Sequence, residues 1–426
     1  MRNALLTLCL ILVVPAALLA ATTIPVGAGS DPLAVRVVES TIDRTVLEYE
    51  ISSVAVEPVE IDGGTYHTVA LGDESTTRER GLPQVPNVCR SIVISDDRDV
   101  SVRVLSSSFE DIPATPVAPS KGTIYRNQNP ADVPYEFDAF YQGDGWYPSE
   151  LATTREPYVM RDLRGVVVVV NPIQYNPATG TLRVYDRVTV EVTAEGRAEN
   201  PLVHRPERMN VEFRKIYERH FLNFEHVAQR YPSVDDAGNM LVICYDDAAW
   251  LTEMESFVEW KNQMGVPCEL VTVTDAGGTA TGIDSYIENY YTTNGLTYVL
   301  LVGDIAQVPS PTVSDKSDPS YSLITADTYP DLFVGRFSAE SLGDVSTQVL
   351  RSVEYEKRPQ GGADWYHKGI GIASAEGGPG QGDDDESDIE HEDNIRADLL
   401  AFTYTEVDQI YDPGATASEV ATAVND

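Results

Sequence analysis

The residues of this chain best equipped for chemistry are carboxylates crowded at a few points. Asp304 closes an apolar run, Asp327 and Asp331 bracket a short loop, and Glu376 is the first of nine Asp/Glu between Lys368 and Arg396, a stretch without Lys or Arg. Like charges held together repel unless a bound cation or a cationic substrate side chain neutralises them. The alternative is a solvated acidic loop, and for Asp383–Asp385 both readings stay open. Asp383-x-Asp385-x-Ser387 has the opening of a calcium loop but lacks the glycine at position six and the glutamate at twelve, which excludes an EF-hand. Thiol chemistry has less support. Cys89, Cys244 and Cys268 follow Cys9 with no zinc spacing, and the last two sit in the apolar runs Met240–Cys244 and Cys268–Val273. They read as small buried hydrophobes rather than nucleophiles.

These groups must be positioned by a chain of 426 residues, long enough for two to three domains. The apolar share of 42% and charged share of 23% are those of a folded protein. Lys and Arg number 30 against 67 Asp and Glu, a net charge of −37. Such a surface repels phosphate backbones and anionic lipid heads, so nucleic-acid and membrane-surface binding are excluded as leading readings. Residues 231–426 hold 8 Lys/Arg and 36 Asp/Glu, a net of −28, whereas residues 1–230 carry 22 and 31, a net of −9. Two electrostatically different regions meet near residue 230.

Arg2, the apolar stretch Leu5–Val14 and the small residues Ala16, Ala17, Ala20 and Ala21 predict a signal peptide over residues 1–21. A membrane anchor fits less well, because the stretch is short and Pro15 interrupts it. Residues 22–230 read as β-rich. Val100–Val104 alternates, and Gly165–Tyr175, the turn Asn176–Gly180 and Thr181–Val192 form a hairpin. Glu207–Val227 turns helical, and Pro232 with Asp235–Gly238 marks a linker.

Beyond the linker the period changes. Strands are predicted at Met240–Cys244, Cys268–Val273, Leu296–Val302, Leu332–Val334, Gly369–Ala373 and Thr405–Ile410. Helices are predicted around Ala248–Gly265, Asp284–Tyr291, Leu342–Glu356 and Ser387–Leu400, with a further helical start at Ala415–Asp426. This alternation predicts an α/β region with a mostly parallel sheet flanked by helices, where ligands gather at the carboxyl ends of strands. Asp304, Asp327–Asp331 and Glu376 are assigned to such ends. No G-x-G-x-x-G or P-loop opens any of the helices.

Four ordered blocks resemble the gingipain-type cysteine peptidases: Ser256–Gly265, Leu296–Asp304, Phe333–Ser338 and Ile372–Pro379. The N-terminal region, including Gly122-Thr123-Ile124-Tyr125-Arg126, resembles their propeptide. The resemblance implies a secreted zymogen, extracellular or cell-surface attached: a propeptide over 22–230, then the N-terminal part of a caspase-like α/β peptidase domain over 231–426. The family's catalytic His lies in a Gly-His-Gly turn and its Cys on a later strand end. This sequence has no Gly-His-Gly and no Cys after Cys268, so the expectation is a chain that stops before its own dyad. A thiolate needs an imidazole in hydrogen-bond reach, and His391 with Cys244 or Cys268 is not promoted to fill that role. The implied activity is endopeptidase cleavage after Arg in protein or peptide substrates. The alternatives are a related sortase or transpeptidase of outer-membrane secretion, and a non-catalytic module binding calcium and a basic peptide.

By resemblance, Glu376 orients the catalytic His, the alternative being a loop carboxylate on a backbone amide. Asp388 matches the carboxylate at the floor of an Arg-selective S1 pocket, where a bidentate charge-assisted pair would select a guanidinium; the alternative is a helix N-cap. Asp304, Asp327 and Asp331, with the carbonyls of Ile324 and Tyr329, match a structural calcium site, and Glu386 and His391 are candidates for a second ion. The linker bond Arg230–Tyr231 is the expected processing site. Arg126, on a prodomain loop, is the candidate to fill the acidic pocket, its alternative being an exposed loop residue.

Overall fold

The computed structural model describes residues 22–125, 128–203, 208–228, 236–325, 327–358, 361–374 and 387–425. The N-terminal region opens with β1 (Thr22–Pro25), β2 (Leu33–Ser40), β3 (Arg44–Ile51), β4 (Ser53–Ile61), β5 (Gly64–Ala70), β6 (Val88–Val93) and β7 (Asp99–Ile112). It continues with β8 (Ala152–Thr154), β9 (Tyr158–Met160), β10 (Leu163–Val170), β11 (Ile173–Asn176) and β12 (Thr181–Glu195). These make three antiparallel sheets, with β12 between β7 on one side and β3 and β11 on the other. Alternation explains the core: Leu182, Val184, Val188 and Val190 of β12 turn inward with Leu47, Tyr49 and Ile51 of β3 and Val166, Val168 and Val170 of β10.

Gly165–Tyr175 proves to be two strands. Asn171-Pro172 ends β10, because proline has no N–H for the ladder, and the chain crosses from the sheet of β6, β8 and β9 to that of β12. The turn after β11 is the expected one. Asn176 Oδ1 accepts from the N–H of Ala178 at 2.9 Å and of Thr179 at 3.3 Å, and Gly180 takes φ +61°.

Two helices follow, α1 (Val211–His220) and α2 (Phe224–Ala228). Asn210 caps α1 by accepting from Glu212 and Phe213 N–H. Phe213, Tyr217, Phe221 and Phe224 pack on Tyr158, Met160 and Leu163, and Tyr329 and Phe333 from the next region join this cluster. The helices therefore lie in the seam between the two regions.

The C-terminal region comprises β13 (Asn239–Cys244), α3 (Ala248–Gln263), β14 (Cys268–Thr272), α4 (Ala280–Asn294), β15 (Leu296–Val302), β16 (Phe333–Phe337) and α5 (Leu342–Lys357), then β17 (Lys368–Ala373), α6 (Asp388–Phe402), β18 (Glu406–Tyr411) and α7 (Ala417–Asn425). The order β14-β13-β15-β16 is parallel throughout, and β17 and β18 form a parallel pair. The runs in β13 and β15 are apolar throughout because both faces are covered. Leu241, Ile243, Val299 and Leu301 pack with Ile283 and Ile287 of α4, whereas Val242, Cys244, Leu300 and Val302 pack with Met254, Phe257, Val345 and Val349 of α3 and α5. Among the described residues no helix is long and apolar enough to cross a membrane.

Candidate active site

The loop after β15 is built on a glycine that nothing else can replace without a shift. Gly303 has φ +133°, and a Cβ there would stand 2.7 Å from Gln307 Cβ. The turn lets Asp304 donate its N–H to Ala339 O at 2.9 Å and accept at its carbonyl from Gln307 and Val308. Its side chain accepts from Ser338 Oγ at 3.3 Å. Arg336 of β16 clamps the same loop. Its Nη1 donates to Gly303 O at 2.7 Å and Val308 O at 3.1 Å, its Nε and Nη2 grip both oxygens of Asp318 at 2.7 Å, and Nη2 also reaches Ser310 Oγ at 2.8 Å. The Arg336 hydrogen bonds hold the Asp318 carboxyl below its ordinary range. Arg336 lies in the block Phe333–Ser338, where the sequence alone marks no role for it. A bidentate partner 18 residues away leaves no local spacing signal.

Asp388 stands at a second carboxyl end. The cap of α6 is Ser387, whose hydroxyl accepts from Glu390 N–H while the Glu390 carboxylate reaches back to Ser387. The capping alternative for Asp388 is thereby taken by its neighbour. Asp388 is the first helical residue, half-buried, and accepts from Ser374 Oγ at 2.8 Å just past the end of β17. His391 is exposed one turn on, its N–H bonded to Ser387 O. Glu376, Glu386, Arg126, Arg230 and Tyr231 lie outside the described residues.

The structure does not bring the calcium set together. Asp304 follows the carboxyl end of β15, but Asp331 leads into the amino end of β16, which pairs in parallel with Tyr298 opposite Phe333 and Val302 opposite Phe337. At a rise of about 3.3 Å per residue, the two carboxylates are separated by roughly 20 Å or more. The sequence assignment of Asp327–Asp331 to a carboxyl end is corrected accordingly: the segment precedes its strand. Its oxygens also have other partners. Asp327 accepts from Val159 N–H and Tyr329 N–H, each at 2.8 Å. Asp331 accepts from Arg161 N–H at 2.8 Å, and from Ile324 N–H, Thr325 N–H and Thr325 Oγ1 at 3.0, 2.9 and 3.1 Å. Ile324 thus presents its amide where a carbonyl ligand was expected. Asp304, Ile324, Asp327, Tyr329 and Asp331 as placed do not fit one calcium site, and among the described residues no group of three or more His, Cys, Asp or Glu is arranged to hold a metal.

Cys244 is buried as the sequence predicts, whereas Cys268, on β14 at the sheet edge, is only half-buried. Burial pushes the Cys244 thiol up to about 12, with Asp246 and Asp247 adding to it, and burial pushes Cys268 up to about 11 against the opposing charge of Lys261. Neither is a thiolate at ordinary pH.

The family model Propeptide_C25 matches residues 25–231, and the model of Peptidase family C25 matches residues 233–425. The chain belongs to peptidase family C25. Gingipain R2 of Porphyromonas gingivalis (strain ATCC BAA-308 / W83) is 36% identical over 409 residues, which are 94% of this chain and 55% of that protein. Gingipain R1 of Porphyromonas gingivalis is 35% identical over 398 residues, 92% of this chain and 40% of that protein. This C25 chain therefore spans about half, or less, of the length of these relatives. The solved complex of Porphyromonas gingivalis RgpB pro- and mature domains is 31% identical, with a TM-score of 0.43, covering 45% of this chain and 97% of that one.

Proposed function

We propose that this C25 chain belongs to the exported zymogen of a cysteine endopeptidase that cleaves after Arg, with residues 22–230 as its inhibitory prodomain and residues 1–21 as its signal peptide. The observation that carries the reading is the succession of a propeptide and a peptidase match over nearly the whole chain, with gingipains R among its relatives. The setting of Asp388 supports the selectivity. It is half-buried at a strand end and is not spent on capping its helix. A carboxylate so placed can receive both N–H arms of a guanidinium, which a neutral side chain cannot offer.

In the same reading Glu376 accepts the N–H of the catalytic imidazole and stabilises its charged form. Cys244 and Cys268 take no part, since both are held as neutral thiols. The bond Arg230–Tyr231 is the maturation cut, and Arg126 occupies the acidic pocket until then. The substrates are proteins or peptides outside the cell. Neither a sortase nor a non-catalytic binding module gains an observation of its own.

The test is the full-length gene product assayed on matched peptides with Arg, Lys or a neutral residue before the scissile bond. Thiol-sensitive cleavage confined to Arg is expected, and the mature enzyme should begin at Tyr231. Equal cleavage after neutral residues, or indifference to thiol alkylation, would overturn the assignment.

A further inference from the structure

We propose that the β9–β10 hairpin is a plug that keeps the prodomain on the peptidase region, at the sheet edge opposite Asp304, independently of the covalent linker. The hairpin pairs Met160 with Leu163, leaving Arg161 and Asp162 at its tip. Arg161 takes φ +49°, as the first central residue of a two-residue hairpin turn does. Its side chain is met by the other region. Arg161 Nη1 donates to Leu296 O and Asp331 O, both at 2.7 Å, and Nη2 donates to Thr297 Oγ1 at 3.1 Å. Its backbone N–H goes to Asp331 Oδ1 at 2.8 Å. The guanidinium lies over Phe213 and Tyr291, 4.9 and 5.4 Å from the ring centroids.

One strand back, the same hairpin adds two further contacts. Val159 N–H donates to Asp327 Oδ2, and the Tyr158 ring stacks on Tyr329 with centroids 3.9 Å apart. Arg161 is 6% exposed, and Asp162, Asp331 and Thr297 are fully buried. A cation this deep costs several kcal/mol unless its donors are met, and the three acceptors of Nη1 and Nη2 belong to the peptidase region. Those three bonds form only when both regions are assembled, while Nε faces Asp162 of the same hairpin at 3.4 Å. Both regions carry net negative charge and repel in bulk, so the attraction at this seat is local, made by hydrogen bonds rather than by net charge.

The position separates two tasks. Leu296 and Thr297 begin β15, whereas Asp304 follows its end and Asp388 follows the end of β17. Retention of the prodomain is assigned to the amino edge, and occlusion of the cleft to groups elsewhere, so cutting the linker and losing the prodomain become separate events.

The experiment uses the full-length gene product carrying Arg230→Ala, which removes the proposed maturation cut, with a unique protease site introduced between residues 231 and 236. After that site is cut, the wild-type pieces should co-elute on size exclusion, and Arg161→Ala should release its prodomain at least tenfold faster. Arg161→Lys, which keeps the charge without the fork, and Thr297→Val should give intermediate rates. Each uncut variant is checked for its unfolding transition; if Arg161→Ala does not fold, the lysine and valine variants decide. Wild-type pieces that separate at once, or variants that release at the wild-type rate, would overturn the plug. Because the readout is association, a failure here is distinct from a failure of the peptidase assignment.

Discussion

Asp331 holds Arg161 twice, by its carboxylate on the Arg161 N–H at 2.8 Å and by its main-chain carbonyl on the guanidinium at 2.7 Å. The same carboxylate fixes Ile324 and Thr325 through its second oxygen. Asp331→Asn would turn an NH₂ group toward one of these donors and leave it unmet. The expected loss of stability is about 2–3 kcal/mol, read from the denaturant midpoint at constant slope. The loss should be the same in chelator and in added calcium, because Asp331 acts through N–H groups. A calcium-dependent difference would restore a metal role for this carboxylate.

Asp162 gives the seam a pH dependence of definite sign. Burial raises its carboxyl from 3.8 to about 6, opposed by Arg161 and by the Tyr217 hydrogen bond and reinforced by Asp331 and Asp236. An acid whose folded pKa is raised binds its proton more tightly when folded. Its favourable contribution is complete below about 4 and lost as pH rises through about 6. The difference is of the order of 2–3 kcal/mol at about 1.4 kcal/mol per pKa unit. Asp162→Asn should therefore match wild type near pH 4 and exceed it in unfolding free energy near pH 7.5. A variant less stable than wild type at pH 7.5 would show that the ionised carboxylate is needed.

The clamp at Arg336 is open to a double-mutant cycle. Arg336→Ala removes donors to two carbonyls, a hydroxyl and a carboxylate, and should cost about 3–5 kcal/mol, with faster amide exchange in the loop after β15. Adding Asp318→Asn to Arg336→Ala should cost much less than Asp318→Asn alone. Additive losses would mean that the two side chains act separately.

What the sequence makes legible follows from range. The strands of the peptidase region stand out because residues such as Leu241, Val242, Ile243 and Cys244 are apolar on both faces, and caps such as Ser341 with Asp344 are written within four residues. The hydrogen-bond acceptors of the Arg161 guanidinium lie 135 to 170 residues away, and nothing in the run Met160-Arg161-Asp162-Leu163 marks a buried cation rather than an exposed turn. The Asp327–Asp331 assignment failed on direction, since an acid between two elements can serve the end of one or the start of the next. For Asp388 the sequence offers two roles, and only the capping geometry of Ser387 separates them.

That separation makes the specificity claim testable with two neighbours. Asp388→Asn should lower kcat/KM on Arg peptides by about 2–5 kcal/mol in transition-state terms, because a desolvated guanidinium loses its charge partner. It should leave the helix intact, since Ser387 and Glu390 carry the capping box. Ser387→Ala should do the reverse, lowering stability by about 1 kcal/mol as a lost N-cap does, with the preference for Arg over neutral residues retained. The pair is measured on the full-length gene product by peptide kinetics and thermal unfolding. If Asp388→Asn lowered stability as Ser387→Ala does and spared the preference for Arg, Asp388 would be a structural residue of α6 and the pocket would have to be sought elsewhere.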